Sequence, residues 1–516
     1  MMTAKSASDP KSLRLMVGLL IVYAALISTG LGPFITDDHP FRQTQTAITA
    51  WYFSSLGDFL TYQSPFFGPP WSVPLEFPLY QALAKGLHVA TGLNLHASGR
   101  VVSITFFMLC LWLVYDLLRG WRISNPPFVM AAMVLAPLYV YWSRSFMIET
   151  TALFFMLLFL ALFARIVREG NFSALRLLAL LLAGTLAAVV KITTAFPYMV
   201  IVGAITAWCL LKALRKRESI LGLAQLAVVQ LLIMVLAYGW VKHTDAVKML
   251  NPMGQIIASG AMRDWTFGPL AQRVDPNIWF ALANNATDMF FPFPRTLAWL
   301  KGLQLAGGLA LMAYFIRCCT PERRKQVLIL CALFLPPPLI FMNLHRIHNY
   351  YQMANGLFIC LAFGLAAWGA REAAASPAQA RRITALYAAA LLALCMNSLW
   401  YLHYKSSHEG MLLSASQRIR DLTPPGSVII VTGQDYASVL PYQSERRALM
   451  LPDYAPAANV EAALVKLRDS GLKTAMYLAC GNKSAERESQ VRQTFKLEGR
   501  EPLERVEDCA LYVLSG

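Results

Sequence analysis

Two adjacent carboxylates, Asp37 and Asp38, are followed by an imidazole, His39, a guanidinium, Arg42, and an amide, Gln43. A carboxylate can take the proton from a hydroxyl as that hydroxyl attacks an electrophilic carbon. An arginine close by can grip a phosphate with two parallel N–H donors. The stretch therefore has the parts for moving a group from a phosphate to an alcohol. It follows directly on an apolar segment, residues 13–34, where a membrane helix would emerge into water. Ionisable groups at such a place are expensive in hydrocarbon and mark function. The plain alternative is a solvated helix end with an aspartate cap.

Other chemistry-bearing residues share a membrane face with this stretch if the chain is polytopic, and its composition says that it is. Of 516 residues, 57% are hydrophobic and only 14% charged; soluble domains carry about 25% charged residues. Apolar runs near the roughly 20 residues needed to cross a bilayer predict about eleven spans. They lie near 13–34, 98–118, 125–141, 148–167, 175–191, 194–211, 219–241, 296–316, 326–343, 352–370 and 383–403. The pair around Lys191 to Pro197 also fits one broken helix. Lys5, Lys11 and Arg14 precede the first run and no small-residue cleavage site follows it, so it reads as a retained helix. Basic residues cluster in alternate short loops, which places those loops and the N-terminus in the cytoplasm. An odd number of spans then puts the C-terminus outside.

On that outer face fall Glu76, in the motif of residues 74–81; Arg144 and Glu149, in residues 143–150; and Lys191. The turn after the ninth span adds His345, Arg346, His348, Tyr350 and Tyr351. If they converge, carboxylates and cations stand side by side at the lipid–water boundary. The catalytic candidates are Asp37, Asp38 and Glu149. The substrate-binding candidates are His39, Arg42, Gln43, Glu76, Arg144, Lys191, Arg346, His348, Tyr350 and Tyr351. Snorkelling, helix capping and aromatic-belt packing are the plain alternatives for several of these. No cofactor is demanded by any motif; a divalent metal is the one candidate, with Glu76, His345 and His348 as its ligands. Aromatic residues between Trp51 and Trp71 suit a segment lying in the interface plane.

Residues 406–516 change character. They hold 13 basic and 14 acidic residues, so the net charge of +16 resides in the membrane part. That excess reports on insertion and anionic headgroups and gives no support for nucleic-acid binding. Residues 427–432, 473–478 and 509–514 read as short buried strands, and 459–470 as an amphipathic helix. The fold class is therefore mainly α, a polytopic transmembrane bundle over residues 1–405, with a small outer α/β domain over 406–516. Of nine cysteines, seven lie in or beside spans. Cys480 ends one predicted strand and Cys509 begins another. In an oxidising compartment they are expected to form a disulfide. There is no CxxC, HExxH, GxGxxG or P-loop, which argues against a soluble nucleotide-using enzyme.

The run Asp37-x-His39-x-Phe41-Arg42-Gln43-x-Gln45-Thr46-Ala47 resembles the first outer loop of a bacterial branch of the C-type glycosyltransferase superfamily. So do Glu76-Phe77-Pro78-Leu79-Tyr80-Gln81, Ser143-Arg144-x-x-Met147-x-Glu149 and His348-x-Tyr350-Tyr351-Gln352. Its members include protein O-mannosyltransferases and the aminoarabinose transferase of lipid A. The resemblance covers roughly residues 13–403. It implies inverting transfer of a sugar from a polyprenyl-phosphate donor to a glycan, lipid or protein acceptor of the cell envelope. The implied place is the periplasmic face of a bacterial inner membrane, among its lipids. A first-loop Asp is the family's base, which falls on Asp37, with Asp38 as the acidic residue after it. Glu76 stands where the lipid A relatives carry a Glu before a Lys. Phe77 replaces that Lys, so Arg42, Arg144, Lys191 or Arg346 must hold the phosphate. A transporter or flippase for lipid-linked sugars is the alternative, as is an assembly or sensor protein. Charges gathered at one face, rather than near mid-span in repeated halves, favour the enzyme.

Overall fold

The structure is a computed structural model that describes residues 10–32, 35, 37–55, 57–406, 412–481 and 485–514. Lys5 and the end of the first expected span, Phe34, lie outside the described residues. Among the described residues seven helices are long and apolar enough to cross a membrane. They are Pro10–Ser28, Leu95–Gly120, Glu149–Glu169, Ile192–Lys216, Leu221–Met249, Arg295–Cys318 and Pro377–Lys405. The protein is an integral membrane protein.

The other expected spans are built from shorter pieces, and proline explains two of them. Residues 125–141 divide into Pro126–Leu135 and Pro137–Trp142. Ala136 between them is extended, at φ −67° and ψ 135°, as the residue before a proline prefers. Pro321–Phe334 stops ahead of the proline run that forms Pro336–Ile340. Ala174–Val190 and Gly356–Glu372 each have 17 residues. Seven helices rather than eleven thus meet the spanning criterion by themselves. Lys191 sits between Ala174–Val190 and Ile192–Lys216 in extended conformation, at φ −159° and ψ 92°. The helical path is broken there, before Pro197 is reached.

Two apolar cores hold the bundle. One joins the first helix to Leu95–Gly120, Pro126–Leu135, Gly356–Glu372 and the last membrane helix, around Tyr23, Phe107, Tyr139 and Tyr387. Gly364 is needed within it, because a Cβ there would overlap the Val129 carbonyl of the helix it packs on. The other ties Glu149–Glu169, Ala174–Val190, Ile192–Lys216 and Leu221–Met249 around Phe159, Leu180 and Ile233.

A third core belongs to the C-terminal α/β unit and does not stop at its edge. Its strands are β1 Val428–Thr432, β2 Arg447–Leu451, β3 Thr474–Cys480, β4 Glu504–Val506 and β5 Cys509–Val513. They form one sheet in the order β2-β1-β3-β5-β4, with β1 parallel to β2 and β3, and β5 antiparallel to β3 and β4. Helix Ala457–Asp469 covers it through Val460, Leu464 and Leu467. The free side of β2 is capped by the first loop. Ala448 N donates to Pro65 O at 2.8 Å, Met450 N to Phe66 O at 3.0 Å, and Gly68 N to Ala448 O at 3.1 Å. An edge strand that would otherwise invite foreign pairing is thereby locked to the membrane part. Phe66, Phe67 and Trp71 enter the same core as Val431, Leu449 and Leu478. Cys480 and Cys509 are opposite each other in the β3–β5 register and are disulfide-bonded.

Candidate active site

The first loop turns sharply before it becomes the helix Pro40–Trp51. His39 caps that helix in left-handed conformation, at φ 51° and ψ 52°. Such a conformation is uncommon for a side-chain-bearing residue and tends to mark sites where geometry is imposed. Pro40 supplies a first helical residue that needs no hydrogen-bond acceptor. The turn sets Asp37, Asp38 and His39 at the mouth of the helix, and the chain beyond it fixes each of them.

Asp37 is held by Gln43, one turn into the helix. Gln43 Nε2 donates to Asp37 Oδ1 at 2.8 Å and to the Asp38 carbonyl at 2.8 Å. Gln43 Oε1 accepts from the Phe146 backbone N–H at 3.0 Å. That second bond fixes the amide's orientation, because only its oxygen can accept. Gln43 is fully buried.

Asp38 faces the last membrane helix. Its Oδ1 lies 3.0 Å from Lys405 Nζ. Its Oδ2 accepts from Tyr401 Oη at 3.1 Å and from Asn349 Nδ2 at 3.3 Å. Its backbone N–H donates to Tyr141 Oη at 2.7 Å. Burial works to raise the Asp38 carboxyl, but His39 and Lys405 more than offset it and leave it below the usual carboxylate range. His39 is itself pushed below its ordinary value by burial.

The His39 ring touches the aromatic wall contributed by the 342–355 segment. Its centroid is 5.0 Å from Tyr350, 5.4 Å from His348 and 5.7 Å from Trp142. His348 is pushed down to about 3 by burial, with His39, Lys191 and Arg42 adding to the effect; it is a neutral imidazole. Lys191 Nζ lies 4.1 Å from the centroid of Tyr351 and 5.2 Å from that of Tyr350, a cation over π faces. It is also paired with Glu149 at the start of Glu149–Glu169, and both are almost wholly buried. Arg42 donates to Glu76 Oε1 at 2.7 Å and to Gln45. Burial opposes the Arg42 charge, yet Glu76, with Tyr350 and Glu149 behind it, raises its pKa above the ordinary value.

The structure therefore brings Asp37, Asp38, His39, Arg42, Gln43, Glu76, Glu149, Lys191, His348, Tyr350 and Tyr351 into one contact chain. Arg144 stands at its edge. Its guanidinium donates to the carbonyls of Ile27 and Thr29 at the end of the first helix and lies 5.7 Å from the Tyr141 ring. Arg346 donates to Asn343 Oδ1 at 2.9 Å and has no carboxylate within 4 Å among the described residues. Arg346 Nε, His348 Nδ1 and Glu149 Oε1 are buried without hydrogen-bond partners among the described residues. Buried polar atoms are rarely left so, and each of the three is free to bond a polar ligand.

The three candidate metal ligands, Glu76, His345 and His348, do not form one cluster among the described residues. The Glu76 carboxylate is taken by Arg42. Among the described residues no three His, Cys, Asp or Glu side chains converge on a metal-sized point. His345 lies fully buried beside Tyr351, with ring centroids 5.9 Å apart.

Lys405, Tyr401 and Tyr141 were not expected from the sequence. Tyr401 and Lys405 are four residues apart on the last helix and so share a face. That spacing at a helix end was the signal available.

No family model and no curated protein matches the sequence. By structure the chain is similar to ArnT from Cupriavidus metallidurans bound to undecaprenyl phosphate, with a TM-score of 0.59 at 13% identity over 98% of each chain. It is similar to the same protein in the apo state with a TM-score of 0.50 at 14% identity, again over 98% of each chain. The likeness runs through the bundle and the C-terminal unit alike. The chain shares the overall fold of that protein, in keeping with the resemblance read from its motifs.

Proposed function

We propose that the protein is an inverting glycosyltransferase that moves a sugar from a polyprenyl-phosphate donor to an acceptor hydroxyl of the cell envelope, at the periplasmic face of the membrane. The observation that carries this reading is the Asp37 carboxylate, fixed by Gln43 and set beside a wall of cations and aromatic rings. The shared fold with a protein that binds undecaprenyl phosphate supports it.

In this reading Asp37 accepts the proton of the acceptor hydroxyl. The oxygen attacks the anomeric carbon from the face opposite the phosphate, and the bond from that carbon to the phosphate oxygen breaks. The electron pair leaves with the polyprenyl phosphate, so the anomeric configuration inverts. Arg42, Lys191 and Arg346 hold the phosphate as its charge grows. Arg346, which has no carboxylate partner among the described residues, is the cation least committed elsewhere. Asp38 and Glu149 act through the cations they hold, Lys405 and Lys191. His39, His348, Tyr350 and Tyr351 form the wall against which the sugar lies. Arg144 secures the loop by anchoring the end of the first helix. Residues 1–405 carry the chemistry and 406–516 form an extracytoplasmic domain. No step is assigned to a metal, because Glu76 is engaged by Arg42 and the two histidines do not meet it at one point.

Deleting the chain from its native cell tests this reading whatever the sugar is. The expected result is the loss of one sugar from an envelope glycan, lipid or protein, with accumulation of its polyprenyl-phosphate donor, both read by mass spectrometry. An unchanged envelope with no accumulated donor would contradict it. Loss of the sugar with the donor trapped on the cytoplasmic face would favour a flippase instead.

A further inference from the structure

A cavity of about 290 Å³ lies at the far end of the helix that begins at the proposed active site. Trp51 and Tyr52, at the end of Pro40–Trp51, form one part of its wall. His88, Asn94 and His96 form another, and Arg420, Tyr442 and Glu445 of the C-terminal unit close it. The cavity is thus a seam between the membrane part and the sheet unit. Nine residues of helix separate Trp51 from Arg42, a rise of about 14 Å.

The chemistry of its wall is that of a saccharide site. Trp51, 40% exposed overall, lines the cavity with its ring centroid 6.3 Å from that of His88, a large amphipathic ring of the kind that packs on a sugar's C–H face. Around it, donors and acceptors alternate. Asn94 Oδ1 is used by the Ala97 N–H at 2.8 Å, which leaves its amide N–H groups as donors. His88 Nδ1 bonds the Leu93 carbonyl at 2.6 Å and so carries the proton, leaving Nε2 as an acceptor in the neutral ring. Tyr442 Oη meets His96 Nδ1 at 3.3 Å. The charged pair on the rim, Arg420 and Glu445, is 3.5 Å apart and cancels. Lys85 Nζ lies 5.5 Å from the Trp51 ring centroid and the Arg447 guanidinium 5.1 Å from that of Tyr52, but the wall itself carries one cation, Arg420, matched by one carboxylate, Glu445, a balance that suits a neutral ligand better than a phosphate. Its volume stands at the small end of ligand pockets, roughly 300–1,000 Å³, which suits one or two sugar rings.

We infer that this cavity binds a neutral saccharide. On the function proposed above, that saccharide is a part of the acceptor remote from the hydroxyl that reacts. The C-terminal unit would then help select the acceptor, and its attachment to the first loop through β2 would keep the two sites in register.

The test uses the full chain in lipid nanodiscs, because a maltoside detergent would compete for the site. Neutral oligosaccharides of two to four pyranose units are titrated and binding is followed by saturation-transfer NMR and calorimetry. Saturable binding is expected in the wild type and in Asp37→Asn. It should weaken about tenfold or more in Trp51→Ala, less in Trp51→Phe, and clearly in Arg420→Gln. Absence of saturable binding across the panel, or wild-type affinity in both Trp51→Ala and Arg420→Gln, would overturn the inference. If the wild type binds saccharide through Trp51 yet transfers no sugar, the cavity stands and the proposed enzymatic function falls. If transfer proceeds with a wild-type acceptor KM in Trp51→Ala, the acceptor role of the cavity falls.

Discussion

Lys405 at the end of the last membrane helix forms an ion pair with Asp38 in the first loop, at 3.0 Å. The contact joins the two ends of the membrane part at the point where the chain leaves for the C-terminal unit. Tyr401, one turn earlier, bonds the other oxygen of the same carboxylate. Asp37 is the neighbour of Asp38, so the position of the proposed base depends on this clamp.

Breaking the clamp should show in stability and in its pH dependence. The folded-state pKa of Asp38 is depressed. Its contribution to stability is therefore present above the unfolded value and is lost as pH falls through the folded value. Lys405→Gln removes a cation that holds it down. The acid-side loss of stability should move to higher pH, and stability at neutral pH should fall by about 1 kcal/mol, the upper end for partly exposed pairs. Thermal unfolding across roughly pH 3–8 reads both. Lys405→Arg should restore the profile, whereas an unchanged acid limb in Lys405→Gln would show that the pair is idle.

Loss of Arg42 is expected to show in donor binding, besides any effect on the chemical step. Arg42→Ala should weaken donor binding by roughly 1.5–3 kcal/mol, the value of a charge-assisted bond. It also strands the Glu76 carboxylate. The double variant Arg42→Ala/Glu76→Gln separates the two effects, because it should recover stability without recovering donor affinity. Arg42→Lys should rescue only in part, since lysine cannot fork. Donor titration by fluorescence or calorimetry checks all three.

Glu149 and Lys191 are each buried and each depends on the other. Removing either partner alone should cost about 3–5 kcal/mol. The paired change Glu149→Gln/Lys191→Met leaves no buried charge and should unfold close to wild type, yet remain inactive if Lys191 binds phosphate. Activity in that double variant would assign the pair to folding alone.

The Cys480–Cys509 bridge closes a loop with a sequence separation of 29. Such a loop is worth about 3–4 kcal/mol in the chain-entropy picture. A peptide map without reduction should yield the linked pair, and Cys480→Ala/Cys509→Ala should lower the unfolding temperature of the C-terminal unit. Quantitative thiol labelling of both residues in the unreduced, denatured protein would refute the bridge.

Much of this architecture is legible in the sequence because it rests on local signals. The apolar runs, the break near Lys191, strands β1, β3 and β5, and the helix over residues 457–469 all follow from hydrophobic period and length. The polar residues of the site are visible because ionisable groups at membrane helix ends stand out. What stays hidden depends on partners distant along the chain. Strand β2 is short and starts with Arg447, and it is a strand because β1 and the first loop pair with its two sides. Lys405 looks like any basic residue at the end of a span until Asp38 is found beside it. Arg144 and Glu76 look like ligand contacts from their motifs, and only the fold shows the carbonyls and the arginine that hold them.

The most direct test of the account is single-turnover sugar transfer by Asp37→Asn. Asparagine keeps the shape of the side chain and its contact with Gln43 while removing the proton acceptor. The account predicts a fall in the rate of transfer of roughly 10²–10⁴-fold, the usual contribution of a general base, with the affinity for the polyprenyl-phosphate donor unchanged and folding intact. Transfer at close to the wild-type rate by a folded, donor-binding Asp37→Asn protein would contradict it.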